Sequence, residues 1–225
     1  MLIGILQCGH FPDELLGETG DYDAIYERFL HDQGFDFAHY PVVDGVFPEG
    51  PEACDGWLIS GSKHGAYEDH PWIPPLEELI RAIHDAGRPL VGICFGHQII
   101  AQALGGKVEK FPGGWSAGRK IYHFADGDRA LNAWHQDQIT DLPPGAVRLA
   151  SSDICVNAAL AYDDRIYSIQ PHPEFGPVEM KGLIRVRGSL LPDHVRAAAE
   201  AGLEAPVANE AEADRIAAFF RKAGA

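Results

Sequence analysis

Cysteine is scarce in this chain: Cys8, Cys54, Cys94 and Cys155 are the four among 225 residues, and no two form a C-x-x-C pair. So scattered a set is not a disulfide framework, and it points to a reducing, cytoplasmic setting. Positive charge is scarce too, with 18 Lys and Arg against 33 Asp and Glu and a formal net charge of −15. Nucleic-acid binding needs a basic footprint, so that class is set aside. The negative balance predicts solubility and weak self-repulsion but identifies no substrate. Long apolar runs are missing as well. None approaches the roughly 20 residues that span a bilayer. The opening MLIGILQCGHFPDE has no basic flank and turns polar after a strand-length run, so no signal peptide and no membrane partner are expected. No repeat, low-complexity tract or linker divides the chain, and one domain over 1–225 is expected.

What is present is an alternation of strand and helix patterns. Leu2–Leu6, Phe35–Tyr40, Gly56–Ser60 and Pro89–Cys94 read as strands. Helical spacing marks 21–33, 76–83 and 96–104, with Pro74 and Pro75 tolerated in a first turn. From 107 to 169 the strands become shorter (107–111, 119–124, 147–150, 155–161 and 165–169) and turn residues divide them. Three helices are expected beyond that, over 177–187, 192–201 and 211–222. The pattern predicts an α/β domain: a central, mostly parallel sheet flanked by helices, with a mixed or antiparallel extension. The core is placed at about 2–176 and a helical C-terminal segment at about 177–225. Ligands in such folds bind at the carboxyl ends of the strands, and Gly61-Ser62, Cys94 and the pair His172 and Glu174 all fall there.

Gly92-Ile93-Cys94-Phe95-Gly96 has the form of a strand–nucleophile–helix elbow. Glycine on either side allows a tight turn and keeps bulk from the reacting carbonyl. The helix that follows aims amide dipoles at the sulfur and favours thiolate. The N–H of Phe95 is positioned to donate to an oxyanion. The plainer reading is a small buried hydrophobe at a strand end, since free cysteine is commonly buried. In Gln170-Pro171-His172-Pro173-Glu174, extended backbone would turn His172 and Glu174 to one side, as a base and its orienting carboxylate. An incidental ion pair in a surface loop is the alternative.

Taken together, GICFGHQ (92–98) and QPHPE (170–174) resemble the class I, triad glutamine amidotransferases, whose domain has a flavodoxin-like α/β fold. The resemblance runs roughly from Leu2 to Glu174. It implies Cys94 as nucleophile, His172 as base and acid, Glu174 as orienting group, and oxyanion donors at Gly61 and Phe95. Gln98 would hold the α-amino-acid end of the substrate, and the stretch containing Trp134, His135 and Asp137 would cradle it. The implied activity is a thiol hydrolase that releases ammonia from the glutamine side-chain amide through a γ-glutamyl thioester, with no cofactor. The ammonia would pass to a separate synthase chain. A self-contained γ-glutamyl peptidase acting on small peptides or amides is the second reading, because the chain is similar to free-standing relatives of the GMP synthetase amidotransferase domain and to plant γ-glutamyl peptidases. A non-catalytic regulatory module on the same fold is the third, and the intact Cys94, His172 and Glu174 set speaks against it.

Several other features are assigned no chemistry. His97 reads as structural, Lys63 and His64 as a solvated loop or contacts to a distal substrate group, and Tyr67–Trp72 as a lid rim. Gly113–Lys120 lacks the lysine–hydroxyl pair of a phosphate loop, and Asp126-Gly127-Asp128 lacks the closing glutamate of a calcium loop. The histidines show no ligand spacing, so no metal is expected. Arg185 and Arg187 read as a solvated helix face, with partner contacts as the alternative.

Overall fold

The computed structural model describes residues 1–224. Its frame is a nine-stranded sheet in the order β2-β1-β3-β4-β11-β10-β9-β6-β7. The parallel part comprises β1 (Leu2–Leu6), β2 (Asp36–Tyr40), β3 (Gly56–Ile59), β4 (Leu90–Ile93) and β11 (Ile166–Ile169). The antiparallel part comprises β10 (Ala159–Tyr162), β9 (Ala146–Ser151), β6 (Ser116–Phe124) and β7 (Gly127–His135). A separate pair joins β5 (Lys107–Lys110) to β8 (Asp137–Asp141).

Burial explains the parallel strands. All four residues of β3, β4 and β11 are buried, so each reads as an unbroken apolar segment rather than an alternation. The pleat still divides them. Ile3, Ile5, Leu58, Val91, Ile93 and Ile169 join one core layer with Ile25 and Tyr26 of α2 (Tyr22–Phe29), Leu183 of α5 (Pro177–Arg187) and Ile216 and Phe220 of α7 (Asn209–Ala223). Trp57, Ile59, Leu90 and Ile166 join the opposite layer with α3 (Ile73–Asp85) and α4 (Phe95–Ala103). Each fully buried aliphatic side chain is worth about 1.5–3 kcal/mol. The two remaining α-helices are the short α1 (Leu16–Thr19) and α6 (Asp193–Ala201).

The middle of the chain departs from the sequence reading. β7 and β8 were not expected. The Asp126-Gly127-Asp128 cluster opens β7 after the turn that closes the β6–β7 hairpin, with Phe124 opposite Gly127 at φ 128°. β7 presents exposed or half-buried residues along its first half, which masked its strand character. The strand expected over 155–161 begins only at Ala159, because Cys155–Ala158 belong to the turn before it. The helix expected to reach Gln33 ends as α-helix at Phe29, where a 3-10 turn takes over at His31–Gln33. Gly113–Lys120 leads into β6, which begins at Ser116, so no helix follows it as a phosphate loop requires. No described helix is long and apolar enough to cross a membrane.

Candidate active site

Cys94 occupies the single residue between β4 and α4, at φ 55° and ψ −102°. A non-glycine residue held there costs of order 1–3 kcal/mol and persists only when its surroundings fix it. They do so here. The Cys94 N–H donates to the Ile169 carbonyl (2.9 Å), the Cys94 carbonyl accepts from Gln98 N–H (3.1 Å), and Gly96 N–H donates to the Ser60 carbonyl (3.1 Å). Both flanking glycines are sterically required. A Cβ on Gly96 would lie 2.3 Å from the Ile59 oxygen, and one on Gly92 would lie 2.6 Å from the Gly96 backbone. The N–H of Phe95, first residue of α4, has no acceptor among the described residues.

Cys94 is 5% exposed, yet it lines a cavity of about 280 Å³. The other cysteines are buried and do not line this cavity. Burial raises the pKa of Cys8 and Cys54, and pushes that of Cys155 up to about 12.

His172 reaches the same cavity from the segment after β11, which lies beside β4. Its N–H donates to the Asn132 carbonyl of β7 (2.8 Å), an isolated antiparallel bridge that ties the segment to the far side of the sheet. Its Nδ1 donates to Glu174 Oε1 at 2.7 Å, and both side chains are buried. Phe175 stacks flat on the imidazole, with centroids 4.0 Å apart and planes 4° from parallel. Tyr26 of α2 donates its hydroxyl to Glu174 Oε1 (3.0 Å). Nε2 is thereby left for chemistry in the cavity that Cys94 also lines. Burial by itself would lower the pKa of His172. The negative charges of Cys94 and Glu174, with their hydrogen bonds, overcome it and lift the value to about 10.

The remaining site expectations fare unevenly. Gln98, Trp134, His135 and Asp137 line the Cys94 cavity. The Gln98 amide NH₂ is committed within the protein, to the Asp137 carbonyl (2.9 Å) and Gln170 Oε1 (3.1 Å), which leaves its oxygen as the group available to a ligand. His135 is held through Nδ1 at the Asp137 carbonyl (3.2 Å), and burial lowers its pKa to about 3. Trp134 packs against Trp115, their centroids 6.3 Å apart.

Gly61 requires a correction: its N–H donates to the Tyr26 hydroxyl at 3.3 Å instead of standing free as an oxyanion donor. What Gly61 provides is space, since a Cβ there would lie 2.9 Å from His172 Cε1 and 3.1 Å from the Tyr22 hydroxyl. The next peptide is differently placed. The Gly61 carbonyl accepts from Ser60 Oγ (2.8 Å), and in a trans peptide the following N–H points the opposite way. That N–H belongs to Ser62, which lines the cavity and has no acceptor for it among the described residues.

His97 is buried beneath the site between Ser168 Oγ (2.7 Å) and the Asn157 carbonyl (2.9 Å), and burial lowers its pKa to about 4. Lys63, His64, Tyr67 and Glu68 line the cavity, joined by Lys110 and by Arg187, which the sequence had placed on a solvated face. The sequence reading missed Tyr26, Asn132 and Phe175, and named Ser62 only as part of the Gly61 turn. Only Ser62 carried a local signal, as the neighbour of the turn glycine; the others arrive from 40 to 150 residues away in the chain or from a stacking contact no motif encodes.

Comparisons with known proteins give the chain a family. The family model described as glutamine amidotransferase class-I matches residues 43–185. Gamma-glutamyl peptidase 3 of Arabidopsis thaliana is 31% identical over 173 residues, covering 69% of this chain and 70% of its own length. GMP synthase [glutamine-hydrolyzing] of Ralstonia pickettii is 37% identical over 139 residues, which cover 52% of this chain and 24% of the relative. Among solved structures, a glutamine amidotransferase from Methylobacillus flagellatus superposes with a TM-score of 0.78 at 23% identity, over 99% of this chain and 94% of that one, a likeness of fold. The family match over most of the chain and the relative matched along two thirds of its length make one conclusion: this chain belongs to the class-I glutamine amidotransferase family and is a hydrolytic enzyme of the amidotransferase type.

Proposed function

We propose that the site hydrolyses γ-glutamyl amides through a thioester on Cys94, with His172 and Glu174 completing a catalytic triad. The observation that carries this reading is the strained Cys94 elbow opening into the cavity that His172 also lines, with Glu174 2.7 Å behind the imidazole. The Cys94 thiolate attacks the γ-carbonyl carbon, and the C=O pair moves onto oxygen. The oxyanion is held by the free N–H groups of Phe95 and Ser62; Ser62 takes the place first assigned to Gly61. The tetrahedral centre collapses, the C–N bond breaks, and protonated His172 delivers its Nε2 proton to the departing nitrogen. Neutral His172 then takes a proton from water, whose oxygen attacks the thioester. Glutamate leaves, and the sulfur departs as thiolate. Losing one oxyanion donor in such a site costs on the order of 10²–10³ in rate. Gln98 Oε1 and the Asp137 carboxylate would receive the α-ammonium group, with Trp134 and His135 walling the pocket.

Glutamine, releasing ammonia to a separate synthase chain, is the simplest substrate. A second reading, a self-contained γ-glutamyl peptidase, is favoured by the cavity itself. It is larger than a side-chain amide needs, and Lys63, Lys110 and Arg187 among its lining residues offer cations to the carboxylate of a leaving amino acid or peptide. The test is glutamate release from glutamine and from a panel of γ-glutamyl dipeptides, by the enzyme and by Cys94→Ala. Turnover of either substrate class that vanishes in Cys94→Ala supports the thioester. Dipeptide turnover without glutamine turnover selects the peptidase. Undiminished turnover in Cys94→Ala would sink both.

A further inference from the structure

The loop between β3 and α3 holds a second constellation that the triad does not use. His64, Glu68 and His70 bring one ligand atom each to within 4.8 Å of the others. His70 Nε2 lies 2.8 Å and His64 Nδ1 3.4 Å from the same Glu68 oxygen, Oε2. In sequence these residues read H-x₃-E-x-H, with His64 and Glu68 at helical spacing and Glu68 and His70 at strand spacing, so that neither element alone would join all three. The loop folds them together by consecutive turns: Glu68 N–H donates to the Gly65 carbonyl (3.1 Å), His70 N–H to the Glu68 carbonyl (3.1 Å) and Ile73 N–H to the His70 carbonyl (3.0 Å).

The rings rest on a fixed support. The two imidazoles have centroids 4.2 Å apart, and each lies 5.9 Å from buried Trp72, which packs in turn on Phe95 at 5.6 Å. The backbone of His64 is also tied, its N–H donating to Ser62 Oγ (3.1 Å), which itself donates to the Cys8 carbonyl. Two imidazoles and a carboxylate match the ligand preference of zinc and its neighbours. A tetrahedral zinc with ligands about 2.0–2.2 Å away separates its donor atoms by about 3.3–3.6 Å; the two histidine nitrogens lie 3.4 and 2.8 Å from the Glu68 oxygen, and all three atoms fall within 4.8 Å of one another. The side chains are only partly exposed, at 22% for His64, 32% for His70 and 44% for Glu68, so an ion can enter without unfolding the loop.

We propose that His64, Glu68 and His70 form a binding site for a divalent transition-metal ion of the zinc class on the rim of the catalytic cavity. Three protein ligands leave a coordination position for water or a carboxylate. His64 and Glu68 are themselves cavity-lining, so a bound ion stands beside the path of substrate and leaving group. Its positive charge would add to the Lys63 side of a strongly negative protein.

The test uses the full chain carrying Cys94→Ala, which removes the active-site thiolate as a competing ligand. Metal-free protein is titrated with Zn²⁺ by calorimetry and with Co²⁺ by visible absorption. One ion per chain is expected, with tetrahedral Co²⁺ bands, no sulfur charge-transfer band, and affinity lower by on the order of 100-fold in His64→Ala and in His70→Ala. No binding, or binding that both substitutions leave intact, overturns the proposal. Crystals of the Cys94→Ala protein soaked in Zn²⁺ give a readout independent of those variants. An anomalous peak between the three side chains supports the site, and a peak elsewhere with none there overturns it.

Discussion

The parallel and antiparallel halves of the sheet contribute to the site in different ways. On the parallel side, function is local: β4, one strained residue and α4 deliver the sulfur, the Phe95 amide and Gln98 within five residues of chain. The segment after β11 draws on both halves. His172 owes its position to a backbone bond from β7, and its orientation to Glu174, Phe175 and the distant Tyr26. A nucleophile can be built by one turn. The base proposed for it follows the neighbouring strand β11 and is held by β7, by α2 and by the stacked Phe175.

Breaking the clamped half should have the largest effect. His172→Ala is expected to lower kcat/KM for γ-glutamyl amide hydrolysis by on the order of 10⁴ or more, because nothing else protonates the leaving nitrogen. Glu174→Gln keeps the shape but removes the charge that helps hold His172 protonated, and should cost on the order of 10²–10⁴. The pH profile sharpens this. His172 in the native enzyme keeps its proton up to about pH 10, so the alkaline limb of kcat/KM should lie there. Loss of the carboxylate lowers that pKa, and in Glu174→Gln the limb should move to lower pH.

The parallel half is broken through its backbone. Gly96→Ala places a methyl group 2.3 Å from the Ile59 oxygen, with no flexible side chain to yield. A destabilisation of about 1–3 kcal/mol is expected, read as a lower midpoint in urea, together with lost activity because the elbow must open.

How much of this was legible beforehand follows the same division. The buried parallel strands announced themselves as apolar runs, and the elbow and QPHPE lay in contiguous sequence. β7 hid behind polar residues, and Tyr26 became part of the site only through packing of α2 against the segment after β11. Gly61 shows the limit of motif reasoning. The turn was located correctly, but which of its amides is free depends on where Ser60 Oγ and the Tyr26 hydroxyl lie. The H-x₃-E-x-H loop was passed over for a related reason, since its three ligands converge through irregular turns.

A prediction of another kind concerns acid stability, with one buried histidine in each half. His97 and His135 have folded pKa values lowered to about 4 and about 3 by burial, against an ordinary value of 6.5. The unfolded chain therefore takes up protons first. Stability is complete above about pH 6.5 and falls as the pH drops towards 4, by roughly 3 kcal/mol for each histidine. Urea midpoints between pH 7 and pH 4 measure this, and His97→Gln should flatten the dependence.

The most direct measurement of the central claim is to trap the acyl-enzyme. The protein is mixed with a γ-glutamyl amide substrate, quenched in acid during turnover, digested and analysed by mass spectrometry. A glutamyl group, labile to hydroxylamine, should be found on the peptide that carries Cys94 and be absent from Cys94→Ala. A substrate consumed at full rate with no such adduct, or an adduct on Cys8, Cys54 or Cys155 in place of Cys94, would contradict the account.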